Sequence, residues 1–270
     1  MRQDLQNSKE TEEKQPCADD IVCAALDVGE HILKNGGEIH TVEDTIERIC
    51  YAFGAAHVEV FTITTLIIAS VRMGDGTYSQ QMRRVLRTSY NLYVVEEMNR
   101  ISRELCAGEL PLPALRERIV AAKSLHPYPP LAIYAAAMLS AFGFSLFFGG
   151  NFLDGICAAL SGVVITLINR RAPRSVNPMI VTVIGSACAG VLGIFLTNLG
   201  IGQHTDKIII GTIMLIIPGL ALGNSVRDML VGDVISGAVR MIQSILLAVM
   251  IAFGFAVAMM LMGGVAAWPN

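Results

Sequence analysis

The stretch "IIIGTIMLIIPGLALGNSVRDMLVGD", Ile208 to Asp233, is apolar enough in its first half to cross a bilayer. Pro218 and Gly219 then interrupt it, and Asn224, Arg227 and Asp228 follow within three turns. A plain membrane anchor has no use for a helix breaker followed by polar groups. Pro218 lacks a backbone donor and its ring crowds the carbonyl of Met214. A freed carbonyl in lipid costs several kcal/mol unless protein, water or a ligand satisfies it. Broken membrane helices near the midplane are a recurrent way to build transporter substrate sites. A structural kink satisfied by neighbouring helices is the other reading. Asn224 adds a donor and an acceptor about a turn and a half beyond the break.

The composition around this segment agrees with a membrane setting. The chain has 270 residues, of which 53% are apolar and only 16% charged, against about 25% charged in soluble domains. Mean hydropathy is +0.54. A net charge of -3 gives no footprint for nucleic acid. The first residues, "MRQDLQNSKETEEKQP", carry no apolar core of a signal peptide and read as a solvated tail over residues 1–18. Six scattered cysteines form no CxxC pair, so neither a disulfide framework nor a zinc site is expected.

Charge is concentrated before Lys123, and "KSLHPYPP" (Lys123–Pro130) reads as a joint. The expected division is an α+β domain over 19–125 and a membrane domain over 131–267. Five apolar runs approach the ~20 residues that span a ~30 Å core: Leu131–Phe148, Phe152–Ile168, Met179–Leu199, Ile208–Val226 and Met241–Ala267. The joints are "GGN", "NRRAPRSVNP", "GIGQHTD" and "RDMLVGDVISGAVR". With the N-terminal domain in the cytoplasm, Lys123, Arg170, Arg171, Arg174, Arg227 and Arg240 all fall inside, and only Lys207 falls outside. Basic loops stay inside, so the expected topology is N-terminus cytoplasmic and C-terminus external in the cytoplasmic membrane. Gly185, Ala189 and Gly193, and likewise Gly219 and Gly223, repeat at a spacing that lets helices approach closely.

The soluble half reads ααβββαα. A helix over Asp20–Asn35, capped by Asp19 or Asp20, ends at Gly36-Gly37. In "HTVEDTIERICYAFG", Thr41 is a plausible cap with Asp44 three residues on. Val42, Ile46, Ile49, Cys50 and Phe53 form its apolar stripe, and Asp44 can pair with Arg48. "HVEVFTITT", "LIIASVRM" and "TYSQQMRRV" read as strands, the last two joined at the "GDG" turn. Helices over Tyr90–Ala107 and Pro113–Lys123 complete the domain. His31, Glu38, His40, Glu43, Asp44 and Glu47 would suffice for a divalent metal on composition, but their spacing fits no metal motif. No GxSxG, P-loop or dinucleotide fingerprint is present, so neither a cofactor nor catalysis is expected.

Taken together, "GGEIHTVEDTIERI", "FSLFFGGNFLDG" and "IMLIIPGLALGNSVRDMLVGDVISGAVRM" resemble the threonine/serine exporter family, in its split form, over roughly residues 20–265. The resemblance implies a subunit of an exporter of small polar metabolites. Threonine and serine are the named substrates, and a split branch is associated with succinate. It maps a glycine-rich stretch to Phe148–Gly150, with Asn151 and Asp154 following, and the kink to Pro218 and Gly219. Asn224, Arg227 and Asp228 lie downstream. A soluble-domain motif falls on Val42–Thr45, with Glu43 and Asp44 at its centre. Fused relatives continue with about five more spans, so a separate membrane subunit of about 150 residues is expected to supply an inverted second half. Lacking a nucleotide motif, the exporter is expected to use an ion gradient. Asp154 and Asp228 are candidate proton carriers, or else ordinary residues at helix ends. A membrane-tethered enzyme and a metabolite sensor are the alternatives from other classes.

Overall fold

A computed structural model describes residues 16–86, 89–124, 128–173 and 175–263. The chain divides into two compact units. One comprises the N-terminal residues through Leu125 together with Arg227–Gly237; the other comprises His126–Val226 and the residues from Ala238 onward.

The first unit runs α1 (Ala18–Lys34), α2 (Ile39–Ala52), β1 (Ala55–Ile63), β2 (Leu66–Met73), β3 (Tyr78–Arg84), α3 (Leu92–Cys106), a 3-10 turn (Leu112–Ala114) and α4 (Leu115–Ser124). The ααβββαα order and the strand positions match the sequence reading. The three strands form an antiparallel meander in the order β1-β2-β3. One face of the sheet is covered by helices: Val58, Ile67, Ala69 and Val71 are buried with Val22, Leu26, Val42, Ile46, Ile49 and Met98. The predicted α2 stripe lies in this core, with Val42, Ile46, Ile49 and Cys50 fully buried and Phe53 packed against them. Each such aliphatic side chain contributes roughly 1.5–3 kcal/mol. Burial also pushes the Cys50 thiol up to about 12, so it acts as a core apolar group and not as a nucleophile. α1 ends in a left-handed Gly36 (φ 89°), with Gly37 N–H donating to the Ile32 carbonyl at 3.0 Å and Gly36 N–H to that of Leu33.

The start of each of the first two helices differs from expectation. Asp19 and Asp20 lie inside α1, whose cap position is Cys17. Asp19 instead accepts from Ser79 Oγ at 2.5 Å, tying α1 to β3, and Asp20 accepts from Cys17 Sγ. Thr41 does not cap α2, which begins two residues earlier at Ile39. A carboxylate distant in sequence, Asp228, sits at that helix end, so a local cap is not required. Asp44 faces His40 at 3.5 Å and not Arg48, whose guanidinium donates to Ser102 Oγ at 3.2 Å.

In the second unit, α5 (Pro130–Phe147), α6 (Phe152–Arg171), α7 (Pro178–Asn198) and α10 (Val234–Leu261) are long and apolar enough to cross a membrane. α8 (Thr205–Met214) and α9 (Gly219–Val231) form a fifth candidate span if counted as one, bent by 54° at the break. The last residues of α9 and the first of α10 belong to the first unit. The connection read as a joint between spans, Arg227–Arg240, is mostly helix: α9 runs to Val231, Gly232 (φ 117°) makes the turn, and α10 starts at Val234. Polarity marked where the apolar run stops, but a helix continues beyond that point as long as its outer turns are amphipathic.

α8 packs against α5, α6 and α7. Helix contacts in this unit are made through glycine, but not wholly at the glycines expected. A Cβ on Gly193 would come within 3.1 Å of Ile208. Gly219 and Gly223 face no neighbour within 4 Å among the described residues. The close approaches are instead at Gly211, where a Cβ would meet the Ala141 carbonyl and Ser145 at 2.8 Å, and at Gly254, where it would meet Ser186 and the Val183 carbonyl at 2.6 Å. In the sequence these two glycines look like any others in apolar runs.

Candidate functional site

Three groups of the predicted residues can be located. The first is the break itself. After Met214 the backbone tightens: Leu215 N–H donates to Thr212, and Ile216 and Ile217 both donate to Ile213. Pro218 has no N–H to give, and Gly219 N–H turns back to the Ile217 carbonyl at 2.8 Å. Among the described residues, the carbonyls of Met214, Leu215 and Ile216 accept no backbone hydrogen bond. The N–H groups of Leu220 and Ala221, in the first turn of α9, likewise find no backbone acceptor. The break therefore opposes the carbonyl end of one half-helix to the amide end of another, with partial negative charge on the first and partial positive charge on the second. Pro218 is half-buried and Gly219 exposed, while Asn224 lies half-buried on α9.

The second group is built on Asp154. Asn151 caps α6 by accepting from Asp154 N–H at 2.8 Å, and the Asp154 carboxylate accepts from Asn151 N–H at 3.0 Å, closing a capping box. The same carboxylate accepts from Gln203 N–H at 2.7 Å, His204 N–H at 3.0 Å and His204 Nδ1 at 2.9 Å. Asn151 Nδ2 adds a bond to Gln203 Oε1 at 2.9 Å. Asp154 is 0% exposed, so this carboxylate is wholly engaged in joining the start of α6 to the α7–α8 connection. Gly150 and Gly202 permit the close fit: a Cβ on Gly150 would meet Ser145 at 2.8 Å, and one on Gly202 would meet Asp154 at 3.4 Å. Gln203 and His204 were missed by the sequence reading. The available signal was His204, the lone histidine after Lys123 apart from His126 in the joint.

The third group lies in the first unit. Arg227 donates to Glu38 Oε1 at 2.8 Å. Asp228, 2% exposed, places Oδ1 3.5 Å from the Ile39 N–H at the start of α2. That distance is long for a hydrogen bond, but a carboxylate at a helix N-terminus is favoured by the helix dipole in any case. Glu43, one turn further along α2, accepts from Thr62 N–H on β1 at 2.7 Å. Its pKa is raised above the usual carboxylate range, first by burial and then by the nearby Asp233, against the lowering effect of the Thr62 bond. Asp44, its neighbour in the motif, is exposed. The sequence thus separates Glu43 from Arg227 and Asp228 by nearly the whole membrane half, whereas the fold puts them at the same end of α2.

Several long apolar helices preceded by a small three-stranded α+β unit describe a multi-pass membrane protein, and the polar groups concentrate at a helix break and at helix ends. The family described as "Putative threonine/serine exporter" (ThrE) matches residues 24–262, and the chain belongs to that family. It is 23% identical over 241 residues to a protein of Mycobacterium tuberculosis named "Probable threonine/serine exporter". That match covers 88% of this chain and 46% of the relative, so the chain spans about half the length of the curated relative it matches. No solved structure matches the chain. The family's description is that of an exporter.

Proposed function

We propose that this chain is a subunit of a secondary exporter that moves threonine, serine or a similar small amino acid out across the cytoplasmic membrane. The observation that carries the reading is the α8–α9 break. Its unbonded carbonyls of Met214, Leu215 and Ile216 suit an ammonium group, and its free amides of Leu220 and Ala221 suit a carboxylate. A zwitterionic α-amino acid presents both charges on one carbon. Asn224 places a neutral polar side chain about a turn further along α9. Dicarboxylate export finds no support in the family description or in the relative's name, and a second carboxylate would meet the carbonyl end of α8.

In this reading the N-terminal unit faces the cytoplasm and α10 ends outside, which the excess of Arg and Lys in the loops on one side supports. A separate membrane subunit of about 150 residues completes the pathway, as in the split form that the sequence resembles. Efflux is driven by an ion gradient. The test is efflux of labelled threonine from an exporter-deficient strain that expresses this chain with and without its partner subunit. Export of threonine or serine that needs both chains supports the proposal. Full-rate export of succinate with no amino-acid efflux refutes it. Reporter fusions at Lys123 and Met262 check orientation, with a cytoplasmic signal expected at the first and an external one at the second.

A further inference from the structure

The helices cover one face of the sheet, and the other face is open. On that face, His57, Arg72 and Tyr78 form a row across the three strands, and Glu59, Ser70 and Gln80 form the next. Five of these residues (His57, Glu59, Ser70, Arg72 and Tyr78) line a half-open cavity of about 370 Å³. His57 Nε2 lies 3.3 Å from Glu59 Oε1. Among the described residues, no carboxylate pairs with Arg72. The cavity therefore holds an uncommitted guanidinium, a carboxylate shared only with an exposed imidazole, and two hydroxyls. Nothing in the export pathway uses them.

We infer that this cavity binds a free α-amino acid, with Arg72 on its carboxylate and Glu59 on its ammonium, so that the soluble unit senses the cargo. The inference rests on the exporter reading for the identity of the cargo. Charge selects the ligand: one fixed cation and one fixed anion match a zwitterion, whereas a dicarboxylate would bring a second negative charge to Glu59. Spacing agrees. Glu59 and Arg72 are diagonal neighbours on adjacent strands, where side chains start about 7–8 Å apart. Two hydrogen bonds of about 2.9 Å, on either side of an α-amino acid whose charged groups are about 3 Å apart, need a similar gap. Ser70 lies between them in the floor, and Tyr78 closes the side toward β3. His57 and Glu59 are well exposed, and exposed charge pairs bind weakly. Roughly millimolar affinity follows, a range that suits a site filled only when cargo accumulates.

The test uses the full chain in detergent with fluorotyrosine incorporated, reading the Tyr78 resonance, which Tyr78→Phe assigns among the six tyrosines. Threonine and serine should move that resonance saturably. Succinate and threonine methyl ester should not. Arg72→Gln should weaken the response by about tenfold or more, and Glu59→Gln should do so independently. A Tyr78 resonance unmoved at high threonine, an equal response to succinate, or full affinity in both variants overturns the site. Efflux is measured separately, on the wild type. A wild type that exports nothing defeats the exporter reading, while the Tyr78 titration still decides the site.

Discussion

Asp154 can be either a proton carrier or a structural staple, and Asp154→Asn separates the two. In the native protein its carboxylate accepts from three backbone amides and one imidazole nitrogen, with no exposure to solvent. An asparagine keeps one carbonyl oxygen but replaces the other with an NH2 group. That NH2 would face donors: on one side Gln203 and His204 N–H, on the other Asn151 N–H and His204 Nδ1. At least one buried amide then loses its acceptor, at a cost of about 1–3 kcal/mol. Loss of the charged partner at the α6 N-terminus adds about 0.3–1 kcal/mol. The expected destabilisation is about 1–4 kcal/mol. At about 2–4 °C per kcal/mol for a chain of this size, the thermal unfolding midpoint in detergent should fall by roughly 3–15 °C. His204→Ala removes only one, partly exposed, contact and should cost less. A proton carrier behaves differently: Asp154→Asn would unfold at the wild-type temperature while its efflux lost dependence on external pH. A variant with an unshifted midpoint and a flat pH response would refute the staple argument.

Pro218→Ala restores one helical hydrogen bond and removes a residue about 3 kcal/mol unfavourable in a helix; its unfolding midpoint should rise while threonine efflux falls roughly tenfold or more, and an active, stabilised variant would rule out the break as the substrate path. Gly211→Ala places a methyl 2.8 Å from the α5 backbone and should cost about 1–3 kcal/mol, whereas Gly223→Ala, with open space around it, should leave the midpoint of the isolated chain unchanged. Glu43 has a folded pKa above its unfolded value, so its contribution is complete below the unfolded pKa and is lost as pH rises through the folded pKa. Melting temperature should therefore rise as neutral buffer is made mildly acidic, and Glu43→Gln, which keeps an acceptor for Thr62 N–H, should flatten that rise. Arg227→Ala breaks a pair that is 67% exposed on the arginine side and should cost no more than about 1 kcal/mol; a larger loss by thermal unfolding would mean that the α2 clamp depends on it.

The order of elements was legible because local chemistry dictates it. β-branched alternation set the three strands, the Val42–Ile46–Ile49 spacing set the face of α2, and runs of apolar residues set α5, α6 and α7. Pro218 marked the bend because a missing N–H is a property of the residue itself. Asn151 and Asp154 entered the sequence reading only through the resemblance, and the capping box that joins them came from the structure. Contacts between residues distant in the chain were not legible. Asp154 meets Gln203 and His204 from 49 and 50 residues away, and Arg227 meets Glu38 from 189. Each of these contacts is one carboxylate with one to three donors, and no periodicity encodes such a pairing. The misplaced start of α2 has the same cause: sequence reading sought a cap within reach of Ile39 along the chain, and the fold delivers the Asp228 carboxylate from 189 residues away. The tertiary structure also decides which glycines matter. Gly211 and Gly219 are equivalent by composition, and only the backbone of α5, packed against one and absent from the other, distinguishes them.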